Sequence, residues 1–139
     1  MRSERIRWAH DYWSGKRGGD TLPSRTEIDP VEMPRLLPYL MLIEVIDGRI
    51  RYRLAGTQVV ANAGFDFTGR FLDELKFPNR DFYLTCYGEI RENGAPIFGL
   101  DHWTYPDGRS GVSEFAMLPL SGDGKTVTHF LTIEDTAER

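Results

Sequence analysis

The sequence predicts an α+β domain, and three observations lead there. Asp-Gly dipeptides at 47–48, 107–108 and 123–124 each separate two β-rich runs, the pattern of a hairpin turn whose central residues take positive φ. Residues 4–15 and 79–93 instead repeat their apolar positions at helical spacing. A chain of 139 residues has the size of one domain with one core, so a single domain is expected over 1–139.

In residues 4–15, Ile6, Ala9 and Trp13 share a stripe with Arg5, Trp8 and Tyr12 beside it, an amphipathic helix with an aromatic face. Gly15, Gly18 and Gly19 end it within residues 1–19. Asp29-Pro30-Val31-Glu32 reads as a helix start, with Asp29 capping, Pro30 in the first position and an acidic residue following. Pro34 and Pro38 keep that helix short. Leu40 to Ile46, Asp47-Gly48 and Ile50 to Leu54 then form a β-hairpin. Residues 56–78 carry short helical pieces broken by Gly64 and Gly69. Val59, Val60, Phe65, Phe71, Leu72 and Leu75 are its candidate core residues. The longer helix, 79–93, is capped by Asn79, ended by Gly94, and places Phe82, Tyr83, Cys86, Tyr87 and Ile90 on one face. Three further runs, 96–105, 109–120 and 125–134, form an antiparallel meander.

Composition excludes several classes. With 40% hydrophobic and 27% charged residues the chain is too apolar for intrinsic disorder. Its longest apolar stretch, 36–46, is broken by Pro38 and Glu44 and falls short of the ~20 residues of a membrane span. The charged N-terminus lacks the features of a secretory signal, and a lone Cys86 offers no internal disulfide, so a cytoplasmic location is expected. A net charge of −4 argues against general nucleic-acid binding. Only Arg2, Arg5, Arg7, Lys16 and Arg17 make a locally basic segment, read as a solvated helix face.

Five short motifs fall in order along this frame: Leu22-Pro23-Ser24-Arg25, Ile28-Asp29-Pro30, Tyr52-Arg53-Leu54-Ala55-Gly56-Thr57, Thr68-Gly69-Arg70 and Leu118-Pro119-Leu120-Ser121. Together they resemble a bacterial family of small stand-alone PAS domains, PAS_5, over roughly residues 8–134. The resemblance implies a five-stranded antiparallel sheet with helices on one side around a small cavity, an additional N-terminal helix, and a PAS core over 39–134. It also implies a role: sensing small molecules, holding a cofactor, or pairing with signalling partners. It supplies no particular ligand or cofactor.

The candidate chemistry is sparse. Gly124-Lys125-Thr126 is not a phosphate loop, since Pro119 stands where the first glycine belongs and a strand follows. Asp101 and His102 are strand neighbours on opposite faces and cannot act together. His129 alternates with Val127, Leu131 and Ile133, a position from which it can ligate haem iron, contact a ligand, or simply be buried and hydrogen-bonded. Trp103 with Tyr105, and Phe115 with Met117, share strand faces that either line a cavity for a flat apolar ligand or pack as core. Arg53 and Arg70 either hold an anion or brace the helical middle against the sheet. Gly56 and Gly69 serve backbone conformation. Trp8, Tyr12 and Trp13 either cover the sheet or form a homodimer interface.

The expectation is therefore a sensory or protein-interaction module in bacterial signalling, acting without catalysis through a protein partner or a small ligand. One rival is a small cavity enzyme of isomerase or hydrolase type, which requires a perturbed carboxyl bonded to a tyrosine inside the pocket. Others are a haem sensor using His129 and a purely structural adaptor without a cavity.

Overall fold

The computed structural model describes residues 3–136; residues 1–2, Arg2 of the basic segment among them, and residues 137–139 lie outside it. Helix α1 (Glu4–Gly15) is followed by short 3-10 turns and by strands β1 (Leu40–Ile46) and β2 (Arg49–Ala55). Helices α2 (Thr57–Ala63) and α3 (Arg80–Asn93) come next, then β3 (Ile97–Thr104), β4 (Ser110–Ser121) and β5 (Val127–Thr136). The strands form one sheet in the order β2-β1-β5-β4-β3, each pair antiparallel. The last strand thus lies in the centre, beside the first.

The turn chemistry is not uniform. Asp47 and Gly48 both take positive φ, 50° and 78°, as a two-residue hairpin turn requires. Asp107 and Asp123 do not. They hold longer loops through their carboxylates, Asp107 accepting from the Arg109 amide at 3.0 Å and Asp123 from the Lys125 and Thr126 amides at 2.9 and 2.7 Å. The segment after Asp29 also differs from expectation. It forms only a 3-10 turn, Pro30–Glu32, although Asp29 caps it through the Val31 amide at 3.0 Å. A proline four residues on removes the amide that a longer helix would need.

Central strands with alternating faces need cover on both sides. On one side, α1 buries Ile6, Ala9 and Trp13 over β4 and β5, and the Trp13 indole donates to the Pro119 carbonyl at 2.8 Å. Full burial of an apolar side chain such as Ile6 contributes roughly 1.5–3 kcal/mol. On the other side, Tyr87 of α3 packs edge-on against Phe130 and shares a 2.9 Å hydrogen bond with Thr132. Gly56 sits where α2 leaves the hairpin. Its φ is ordinary, but a Cβ there would lie 2.3 Å from the Pro38 carbonyl oxygen, so close approach of two backbones is what excludes a side chain.

Candidate functional site

Alternation along β5 places Phe130, Thr132 and Glu134 on the α3 side of the sheet and His129, Leu131 and Ile133 on the α1 side. Between the sheet and the helical middle lies a cavity of about 120 Å³, lined by Met41, Tyr52, Val59, Asn62, Ala63, Phe67, Phe77, Pro78, Asn79, Tyr83, Trp103, Thr104 and Glu134. A smaller recess of about 20 Å³ shares Met41, Tyr52, Tyr83 and Glu134 and ends on Tyr87, Phe115, Met117 and Thr132. The main cavity is exposed at its rim, at Pro78 and Thr104, and buried at its floor, at Met41, Tyr52 and Phe67.

The aromatic wall is itself a packed cluster. Tyr52 meets Phe67 edge-on at 4.6 Å between ring centroids, and Phe67 meets Phe77 at 5.3 Å. Trp103 is fixed by its indole donating to Ser113 Oγ at 2.8 Å and by the Tyr105 ring at 4.0 Å.

Polar groups stand against this wall. Tyr83 donates its hydroxyl to Asp101 Oδ2, and Asn79 donates its side-chain amide to Asp101 Oδ1 and to the His102 carbonyl. Asn79 makes no side-chain cap on α3; its side chain is turned toward β3, where its NH2 group donates to Asp101 and to the His102 carbonyl. Burial raises the Asp101 carboxyl despite these two donors, and burial followed by the neighbouring acids pushes the Tyr83 hydroxyl far above its ordinary range. Glu134 is different. Its carboxyl has no hydrogen-bond donor among the described residues, and burial, reinforced by Asp101, lifts it to about 8.

The expected site residues divide. Trp103 lines the main cavity, and Phe115 and Met117 line its recess. Tyr105 stands one step away, meeting Trp103 edge-on and carrying the Arg109 guanidinium over its ring. His129 is not at the cavity. It lies on the α1 side with its ring bonded to Thr128 Oγ1 at 2.9 Å, because both faces of β5 are buried and the more apolar face is the one covered by α1. Arg53 is likewise outside, largely exposed and 3.9 Å from Glu44. Of the N-terminal aromatics, Trp13 is buried within the chain, Tyr12 donates to Glu32, and Trp8 remains 43% exposed. Glu134, Asp101, Tyr52 and Tyr83, which carry the polarity of the cavity, were not among the expected site residues.

A sheet of this order, closed by short helices around a ring-sized cavity, defines a PAS fold. The PAS_5 family model, described as a PAS domain, matches residues 1–133, and the chain belongs to that family, a class of sensory and ligand-binding modules. Among solved structures it is similar to VqmA bound to DPO, with a TM-score of 0.62, 17% identity, and 77% of this chain and 57% of that one covered. A Vibrio cholerae VqmA dimer without its target DNA gives 0.62 at 16%, over 78% and 51%. A Rhodobacter sphaeroides LOV protein gives 0.59 at 11%, over 81% and 70%. A Colwellia psychrerythraea PAS domain gives 0.54 at 15%, over 78% and 98%. The chain spans about half the length of the VqmA structures. No curated protein matches it.

Proposed function

We propose that this domain senses a small molecule in its cavity and passes the occupancy to a partner protein through α1. One observation carries the reading: an unpaired carboxyl, Glu134, faces an aromatic cavity built on the strand that also supports α1. A ligand shifts a conformational equilibrium only by binding its two states unequally, and a half-buried, unpaired acid is a group whose energy a ligand changes. VqmA, which shares the fold, is described as bound to DPO and as a dimer. In this chain Trp8 is the aromatic residue of α1 left for docking, to a signalling partner or a second copy, since Trp13 and Tyr12 are engaged internally. The lone buried Cys86 suits a reducing bacterial cytoplasm.

Native mass spectrometry of gently purified protein, paired with hydrogen exchange, tests this. A small-molecule adduct whose removal speeds exchange in β5 and α1 is the expected result. Occupancy without any change in α1 would make the domain a carrier and not a sensor.

The Tyr83–Asp101 pair also meets the condition set for a small cavity enzyme. Both Asp101 oxygens are already engaged and Tyr83 holds its proton, so the pair works as a brace. Glu134 is the carboxyl left free to move a proton. Turnover of a cavity-sized substrate that vanishes in Glu134→Gln would favour the enzyme.

A further inference from the structure

The cavity has an uneven chemistry. Two acids act on it, Glu134 in its lining and Asp101 behind Tyr83, and among the described residues no lysine, arginine or histidine lines it or its recess. The Glu134 carboxyl and the Tyr52 hydroxyl both border the main cavity and the recess, and neither has a hydrogen-bond partner among the described residues, although Tyr52 is only 3% exposed. Glu134 is half-buried, and the Glu134 carboxyl and Tyr52 hydroxyl open onto the same cavity, where a ligand that displaces water meets two polar groups that the protein itself has not engaged. The volume, about 120 Å³, is close to that of an engineered cavity of ~150 Å³ that takes up benzene. The occupant is therefore about one ring in size.

We propose that the cavity receives a single-ring nitrogen base, held as its cation against the Glu134 carboxylate. The Tyr52 hydroxyl is the second polar contact, and the ring lies among Phe67, Phe77, Tyr83 and Trp103. This deepens the sensory reading and rests on it.

Charge sets the direction. An anion entering here meets carboxyls and no counter-charge. A cation gains a charge-assisted hydrogen bond from Glu134 and the attraction of the surrounding ring faces. Two routes lead to the same complex. The ligand enters as a cation after Glu134 has released its proton, or it enters as the neutral base and takes the proton from Glu134 onto its nitrogen. In the second route one O–H bond breaks, one N–H bond forms, and no other reactant is needed. With Glu134 poised at about 8, both routes are open near neutral pH. The other titratable groups turned toward it are Asp101 on β3, Tyr52 on β2, and Tyr83 and Tyr87 on α3.

Benzamidine, benzamide and benzoate are nearly the same size and differ in charge, so calorimetry with all three on the whole chain isolates the charge preference. Benzamidine is expected to bind at least about tenfold more tightly than benzamide, with benzoate weakest, as charge-assisted hydrogen bonding implies. Glu134→Gln, of unchanged shape, should cost benzamidine about tenfold or more and leave benzamide nearly unaffected. Equal affinities across the series, or a variant that still prefers benzamidine, overturn the proposal. Binding of benzamide without benzamidine overturns the charge preference alone and leaves a sensory cavity. A cavity that takes none of these and carries no co-purified ligand removes both readings.

Discussion

Replacing Glu134 by glutamine should make the protein more stable, and by an amount that grows with pH. The carboxyl moves from an ordinary 4.5 to about 8 on folding, because burial and the neighbouring Asp101 disfavour its charge. Below pH 4.5 both folded and unfolded chains hold the proton, and the group costs nothing. As pH rises, the unfolded chain releases the proton first while the folded chain keeps it, so stability falls until the folded group ionises near 8. At about 1.36 kcal/mol per tenfold change in the proton equilibrium, the full penalty approaches ~5 kcal/mol, of which about 4 accrue between pH 5 and 9. Water entering the half-open cavity lowers this, and a difference of about 2–4 kcal/mol is the expected result. Urea unfolding of the native chain and of Glu134→Gln at pH 5, 7 and 9 measures it directly. Asp101, also raised, contributes with the same sign and His129, lowered by burial, with the opposite sign, but both are present in each protein and largely cancel in the comparison. Two stability curves that stay parallel within about 0.5 kcal/mol across this range would refute the assignment of a half-buried, unpaired acid.

Two other expectations follow from packing. Trp13→Phe keeps most of the buried volume but leaves the Pro119 carbonyl without its indole donor, and should lower stability by about 1–3 kcal/mol in urea; a change near zero would mean that the contact is water-replaceable. Gly56→Ala should cost about 3 kcal/mol or more, because the new methyl would meet the Pro38 carbonyl oxygen at 2.3 Å, backbone that cannot turn aside; a normally stable variant would show that the chain crossing is loose.

The strands were the most legible part of the chain. Asp-Gly turns and β-rich runs mark all five, since hairpins are local and their turn residues are chosen by φ. The cavity was half legible. Alternation from Trp103 and Phe115 leads into it correctly, because β3 and β4 contribute their odd-numbered residues to that side. On β5 the same rule led to His129, because the apolar phase of a central strand was taken as the cavity face. In this fold α1 covers that phase, and the mixed stripe Phe130, Thr132, Glu134 faces α3, with Thr132 and Glu134 reaching the cavity or its recess. A glutamate on a central strand was the available signal. Asp101 was weighed only against its neighbour His102, while its partners Tyr83 and Asn79 come from a helix that sequence spacing cannot place against a strand.

Glu134 and Asp135 are consecutive residues, and they serve opposite sides of the sheet. The first looks into the cavity, while the second holds Arg5 of α1 in a 3.0 Å ion pair. Arg5 in turn lies 4.2 Å over the Tyr39 ring at the start of β1. The interior and the outer helix are therefore separated by a single peptide bond. In the proposed sensing role, a ligand that displaces Glu134 acts on the same stretch of backbone that Asp135 ties to α1, so the path from cavity to outer helix is one residue long.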